Sequence, residues 1–317
     1  MGAPHAGEAA AGGPEGEGEG EGEAPLPEGF ELSVAPMMAI TTRHFRALMR
    51  MLSARTVLWT EMMVADAVLH RPDLARFSAF ERPLVAQLGG SDPAALAAAA
   101  RALEAAGYDE VNLNLGCPSN TVVKGCFGAV LMKHPETVAA CLRAMRAAVA
   151  IPVTAKIRIG VDRCEGYEHL RGFVGMLADC GVAHVVVHAR KAILGLSTTQ
   201  NRSVPPLNYA FVYDLVRDFP HIRFTLNGGV RTLAEVREHA RRGVHGVMIG
   251  RAAYKNPLLF ADVDRGLFGG GAGAGAGLEA VLARYGDYCD EFVAKHQRGE
   301  TPCTKSVMRT VLELLKP

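Results

Sequence analysis

Between two low-complexity breaks the chain repeats one pattern eight times: a short aliphatic run suited to a strand, then a longer run with apolar residues at helical spacing. A strand that returns through a helix pairs parallel with its neighbour, so this alternation predicts an α/β chain built on a parallel sheet. Strands are expected over Leu32–Met37, Val57–Met62, Leu84–Gly89, Glu110–Leu115, Pro152–Ile159, His184–Ala189, Arg223–Asn227 and Gly246–Gly250. Helices are expected over Thr42–Leu52, Val64–His70, Pro93–Ala106, Pro135–Val149, Glu168–Cys180, Tyr209–Phe219 and Leu233–Arg242, with a short one from Asn256. Ser91-Asp92-Pro93 and His134-Pro135 are helix-start signals. Eight units in about 230 residues match a (β/α)8 TIM barrel, with a doubly wound open sheet as the alternative.

Polar residues favour the barrel. Gln87, Asn114, Lys156, Arg158, His188, Arg190, Asn227 and Arg251 all lie at or just beyond the C-terminal ends of their strands. In a barrel those ends converge on one face, where active sites form. In Glu110–Ser119, Val111, Leu113 and Leu115 alternate with Asn112, Asn114 and Gly116, and the run ends at a turn that presents Cys117 between Gly116 and Pro118. A thiol at a strand-end turn is placed for chemistry.

The breaks divide the chain into a low-complexity tail over 1–28, a barrel over 29–265, a Gly/Ala linker over 266–277 and a helical segment over 278–317. The tail, with its Glu-Gly repeat over Glu15–Glu23, lacks arginine and does not resemble an amphipathic transit peptide. A net charge of +1 neither implies nor excludes nucleic acid. Seven cysteines without a C-x-x-C pair argue against a disulfide framework or a zinc site and fit a reducing compartment, cytoplasmic or organellar. No apolar run is long enough to span a membrane.

Asn227-Gly228-Gly229 and Ile249-Gly250-Arg251 follow the seventh and eighth strands, the customary phosphate loops of such a barrel. Lys156 with Arg158, and His188 with Arg190, share faces of adjacent strands and predict a polyanionic ligand; a Schiff-base role for Lys156 is the competing reading. The basic loop from Arg190-Lys191-Ala192 to Asn201-Arg202 suits nucleic-acid phosphates or a solvated surface equally well. Cys141 and Cys180 fall on helix patterns and read as core residues, a Cys117–Cys126 disulfide is disfavoured, and His221, His239 and His245 show no metal spacing.

Several motifs resemble the tRNA-dihydrouridine synthases, and the A-type bacterial branch acting at positions 20 and 20a in particular. They include Ala35-Pro36-Met37, Arg43-His44-Phe45-Arg46, Thr60-Glu61-Met62, Gln87-Leu88-Gly89-Gly90, Asn112 to Ser119, Lys156 to Gly160, His188 to Ala192, Asn201-Arg202 and Asn227-Gly228-Gly229, in order from about Ser33 to Leu259. The resemblance implies an FMN- and NADPH-dependent enzyme that acts on tRNA as a monomer, without metal or membrane. Pro36, Met37, Gln87, Lys156, His188, Asn227, Gly228, Gly229, Gly250 and Arg251 would hold FMN, and Cys117 would be the catalytic acid. Asn114, Arg158, Arg190, Lys191, Asn201 and Arg202 would face the substrate. A thiol, largely protonated near neutral pH, suits a proton donor.

The chain departs from the family pattern at Ala39 and Thr42, where acidic residues are usual, at Lys124 in place of Asn, and in a basic loop one residue shorter around Gly195. These departures are expected to touch substrate-facing loops. The helical segment, with Leu278–Gln297 and Thr304–Leu315 as helices, is expected to be a partial tRNA-gripping domain; its Tyr285/Tyr288/Phe292 stripe reads as core. A flavin-free RNA-binding relative, or a barrel oxidoreductase of the dihydroorotate-dehydrogenase kind, are the alternatives.

Overall fold

The computed structural model describes residues 24–270, 277–296 and 310. Eight parallel strands form one sheet: β1 Glu31–Val34, β2 Leu58–Val64, β3 Leu84–Gly89, β4 Glu110–Asn114, β5 Val153–Arg158, β6 His184–His188, β7 Arg223–Asn227 and β8 Gly246–Ile249. Their spatial order runs β1-β8-β7-β6-β5-β4-β3-β2. The sheet then closes on itself, because Val34 N–H donates to Val57 O at 3.0 Å and Val57 N–H to Leu32 O at 2.9 Å. This order and the closing ladder are those of a TIM barrel and rule out the open doubly wound sheet.

Helices α1 Arg43–Leu52, α2 Ala65–His70, α3 Pro93–Ala105, α4 Asn120–Lys124, α5 Pro135–Ala148, α6 Tyr167–Asp179, α7 Ala210–Asp218, α8 Leu233–Arg241, α9 Arg251–Lys255 and α10 Val263–Gly266 connect or follow the strands. Their starts obey local chemistry. Asp92 caps α3 through Ala95 N–H with Pro93 in the first turn, and Thr232 with Glu235 forms a capping box on α8. The first strand ends three residues earlier than its pattern suggests, because Pro36 has no N–H to continue the ladder. Sequence periodicity did not anticipate α4, only five residues long, which is capped by Ser119 just beyond the Cys117 turn.

Two apolar regions hold the barrel. Outside the sheet, Leu88, Leu113, Ile157, Val187 and Leu226 pack against helix faces that include Leu96, Leu142, Val174 and Val212; inside, Ala35, Trp59, Val85, Val186 and Met248 form a separate plug. These apolar side chains fill part of the barrel interior.

Packing continues on both sides of the 29–265 span. Leu26 N–H bonds Leu267 O at 2.7 Å, and buried Asp264 accepts from Ser53 Oγ at 2.5 Å and Ala54 N–H at 2.7 Å. The 1–23 part of the low-complexity tail and residues 271–276 of the linker lie outside the described residues. Helix α11 Leu278–His296 lies against α1: Tyr288 Oη and His44 Nδ1 are 2.9 Å apart, Phe292 meets the His44 ring edge-on at 4.6 Å, and Tyr285 is buried. The aromatic stripe is therefore core. Of the helix expected over Thr304–Leu315, only Thr310 is described; it is helical and buried.

Candidate active site

Alternation along β3 to β7 brings one set of side chains into the barrel mouth: Gln87, Asn114, Lys156, His188 and Asn227. Strand register places Asn114 beside Lys156 and His188 beside Asn227. Lys156 Nζ donates to Asn227 Oδ1 at 2.9 Å, and Asn227 Nδ2 donates to Met248 O at 2.8 Å. The charges here are one-sided. Burial, with Arg158 beside it, lowers the Lys156 amine to about 7, although Cys117 pulls in the opposite direction. Burial likewise lowers the Arg158 guanidinium to about 10, with Arg190 and Arg202 adding to the effect and Cys117 opposing it. Burial, then Arg158, Lys156, Arg190 and Arg251, hold His188 well below the ordinary histidine value, so its ring is neutral near pH 7. Basic groups that depress one another in this way form a site waiting for an anion.

Backbone shape adds to that reading. Gly228 and Gly229 have φ of +114° and +84°, and a Cβ on Gly228 would stand 2.7 Å from His188 Cδ2. Tyr209 Oη donates to Gly228 O at 2.7 Å, clamping the turn. At Gly250 the nearest atom to an added Cβ is Ala35 Cβ at 3.5 Å, so the backbone there is open to approach. Arg251 is exposed and donates to Arg202 O at 3.2 Å, tying the loop after β8 to the end of the basic loop.

Cys117 sits on a turn held from both sides. Its N–H and that of Gly116 donate to Asn114 Oδ1 at 3.0 and 3.1 Å, and its carbonyl accepts from Ala129 N–H at 2.9 Å. Gly128, at φ +72°, lets that contact form, since a Cβ would lie 2.6 Å from the Cys117 carbonyl. The thiol is half-buried and the nearby Cys126 is exposed; both are free. Among the described residues no His, Cys, Asp or Glu cluster could hold a metal ion, and no helix is long and apolar enough to cross a membrane.

A dihydrouridine synthase (Dus) family profile matches residues 33–298, which takes in the barrel and α11. The chain belongs to the dihydrouridine synthase family. It is 50% identical over 240 residues to the tRNA-dihydrouridine(20/20a) synthase of Escherichia coli K12, covering 75% of this chain and 69% of that protein. The enzyme of the same description from Synechocystis is 51% identical over 240 residues, 75% of this chain and 72% of the relative. That from Salmonella typhi is 49% identical over 243 residues, 76% and 73% respectively.

Within this dihydrouridine synthase the predicted site residues divide into two groups. Gln87, Asn114, Cys117, Lys156, His188, Asn227, Gly228, Gly229, Gly250 and Arg251 gather at the mouth, with Pro36 and Met37 beside it. Two predicted substrate contacts are different in kind. Asn201 is fully buried: its Nδ2 donates to the carbonyls of Ile193, Leu196 and Ser197, and its Oδ1 accepts from Ile193 N–H. Arg158, only 3% exposed, donates to the carbonyls of Gly116, Lys191 and Asn201. Asn201 and the Nε and Nη1 of Arg158 thus donate to backbone and brace the loop, whatever else Arg158 Nη2 meets. Lys191 pairs with Glu165, and Arg190 donates to Pro205 O. Arg202 Nε donates to Thr198 O at 3.1 Å.

Two of the departures from the family pattern also find their places. Thr42 is the N-cap of α1 and accepts from Phe45 N–H, a role that Asp fills equally well. Ala39 adopts φ +60° and donates its N–H to Glu61 Oε1 at 2.6 Å. Sequence reasoning assigned no role to Glu110 or Thr154, which continue the polar line from Asn114 down through the barrel. The signal was present as polar residues at 110, 112 and 114 of one strand.

Proposed function

We propose that this chain is a tRNA-dihydrouridine synthase that reduces the C5–C6 bond of a D-loop uridine at position 20 or 20a, using FMN and NADPH. The observation carrying this reading is a thiol held at the rim of a cation-lined mouth, in a chain half identical over three quarters of its length to enzymes so described. The cradle suits FMN: Gly250 offers open backbone and Arg251 charge to a phosphate beside the Gly228-Gly229 turn, while Lys156, His188, Gln87 and Asn227 supply directed polar atoms deeper in the mouth. Pro36 and Met37 give that pocket an apolar edge. When bound, reduced FMN supplies hydride to C6 of the uracil.

The protein's own groups complete the reaction. The target base must leave its stack to enter the mouth, where Asn114 meets it. Cys117 Sγ–H gives its proton to C5 from the opposite face, so one hydride and one proton saturate the double bond. The thiolate left behind faces Lys156 and Arg158, whose charges stabilise it until water returns the proton. Arg190, Lys191 and Arg202 lie on the loop beside this mouth and face the RNA backbone in this reading; α11 extends the surface.

Purified chain, FMN, NADPH and unmodified tRNA should yield dihydrouridine mapped to position 20 or 20a. Flavin-loaded protein oxidising NADPH without forming dihydrouridine in any tRNA would sink the reading.

A further inference from the structure

We propose that Glu110 is a positioning residue for the Cys117 turn, acting through a one-way line of hydrogen bonds that crosses the barrel interior. The line begins at the turn, where two backbone N–H groups, of Gly116 and Cys117, occupy Asn114 Oδ1. Asn114 must therefore use its amide nitrogen elsewhere, and Nδ2 donates to Gln87 Oε1 at 2.7 Å. Gln87 Nε2 then donates to Asn112 Oδ1 at 2.9 Å, and Asn112 Nδ2 to Thr154 Oγ1 at 2.9 Å. The Thr154 hydroxyl, having accepted, donates to Glu110 Oε1 at 2.5 Å.

The polarity of this line is set independently at both ends. Backbone N–H groups at the top can only donate, and at the bottom Glu110 Oε1 accepts from the Thr154 hydroxyl. Turning Asn114 or Gln87 by half a turn would oppose like atoms on both sides, and turning Asn112 would set its Nδ2 against Gln87 Nε2 and draw the Thr154 hydroxyl proton away from Glu110. Asn114, Gln87, Asn112 and Thr154 are 8%, 1%, 0% and 2% exposed, so water is not at hand to repair a reversed link. Burial opposes the imidazolium of His184, yet the Glu110 and Glu31 carboxylates outweigh it and raise its pKa; His184 Nδ1 lies 3.8 Å from Glu110 Oε2. That contact holds the carboxylate in place at the start of β4. Gln87 and Asn114 thus present fixed amide faces to the mouth, and the Cys117 turn keeps its acceptor.

The inference rests on Cys117 being the proton donor, and its test has a reading that needs neither flavin nor tRNA. Iodoacetamide labelling of Cys117, resolved from that of exposed Cys126 by peptide mass spectrometry, reports how firmly the turn is held. E110L and T154V remove an acceptor or the hydroxyl while filling the space; E110Q and T154S keep them. The expected result is about fivefold faster labelling of Cys117 in E110L and T154V, the effect of one buried hydrogen bond. Cys126 labelling should be unchanged, and E110Q and T154S should label near the wild-type rate. In turnover, kcat should fall with KM for tRNA unmoved. Wild-type labelling of Cys117 in T154V, or an equal rise at Cys126 showing general loosening, overturns the proposal. Because labelling is read on the flavin-free chain, its outcome stands apart from whether wild-type protein makes dihydrouridine.

Discussion

Cys117 carries the chemistry through placement. Its carbonyl and N–H are both engaged by backbone or Asn114, so replacing the side chain leaves the turn intact. C117A should therefore bind FMN with wild-type affinity, measured by flavin fluorescence quenching, while dihydrouridine formation drops by about 10²- to 10⁴-fold, the usual worth of a general acid. Wild-type turnover in C117A would remove the proton-donor role. Residue type and spacing made this cysteine visible in the sequence. The same reasoning could not see what Asn201 and Arg158 touch, because a polar side chain looks alike in sequence whether it faces ligand or backbone. Only the fold shows Asn201 and the Nε and Nη1 of Arg158 donating to backbone carbonyls.

At the level of elements, the eight strand–helix units were legible from periodicity, since each strand buries one face against helices and points the other into the barrel. The line from Glu110 to Asn114 was only half legible. Its polar residues repeat along β4, but its partners Gln87 and Thr154 come from the flanking strands, and their pairing depends on register. Helix α1 offers a simple test of local chemistry. Thr42 caps it, so T42A should cost about 1 kcal/mol of stability by urea denaturation, whereas T42D should match wild type in both stability and turnover. Loss of turnover in a stable T42D would show that the side chain does more than cap.

The whole molecule bears the cost of its cationic mouth. Lys156 has a native pKa of about 7 against an ordinary value of 10.5, so between these values the unfolded chain binds the extra proton and stability rises with pH. Below about pH 7 the amine is protonated in both states and the full penalty is present. K156M should therefore be most stabilising, relative to wild type, near pH 7, with the gap in Tm narrowing toward pH 10. A gap independent of pH would show that the amine is not depressed in the folded barrel. Stabilisation in K156M should come with weaker FMN binding, a trade common where a site is held ready for its ligand.

The mode of closure of the basic loop bears on how such proteins diverge. The Asn201 side chain bridges Ile193, Leu196 and Ser197, so the arc between these residues hangs from a single internal clasp, with Arg158 securing the clasp to the barrel. A residue lost from the outer arc near Gly195 shortens the arc without shifting Arg190 or Arg202 at its feet. Insertions and deletions can accumulate there at little cost to the chemistry below, leaving the loop free to drift in length as its RNA changes.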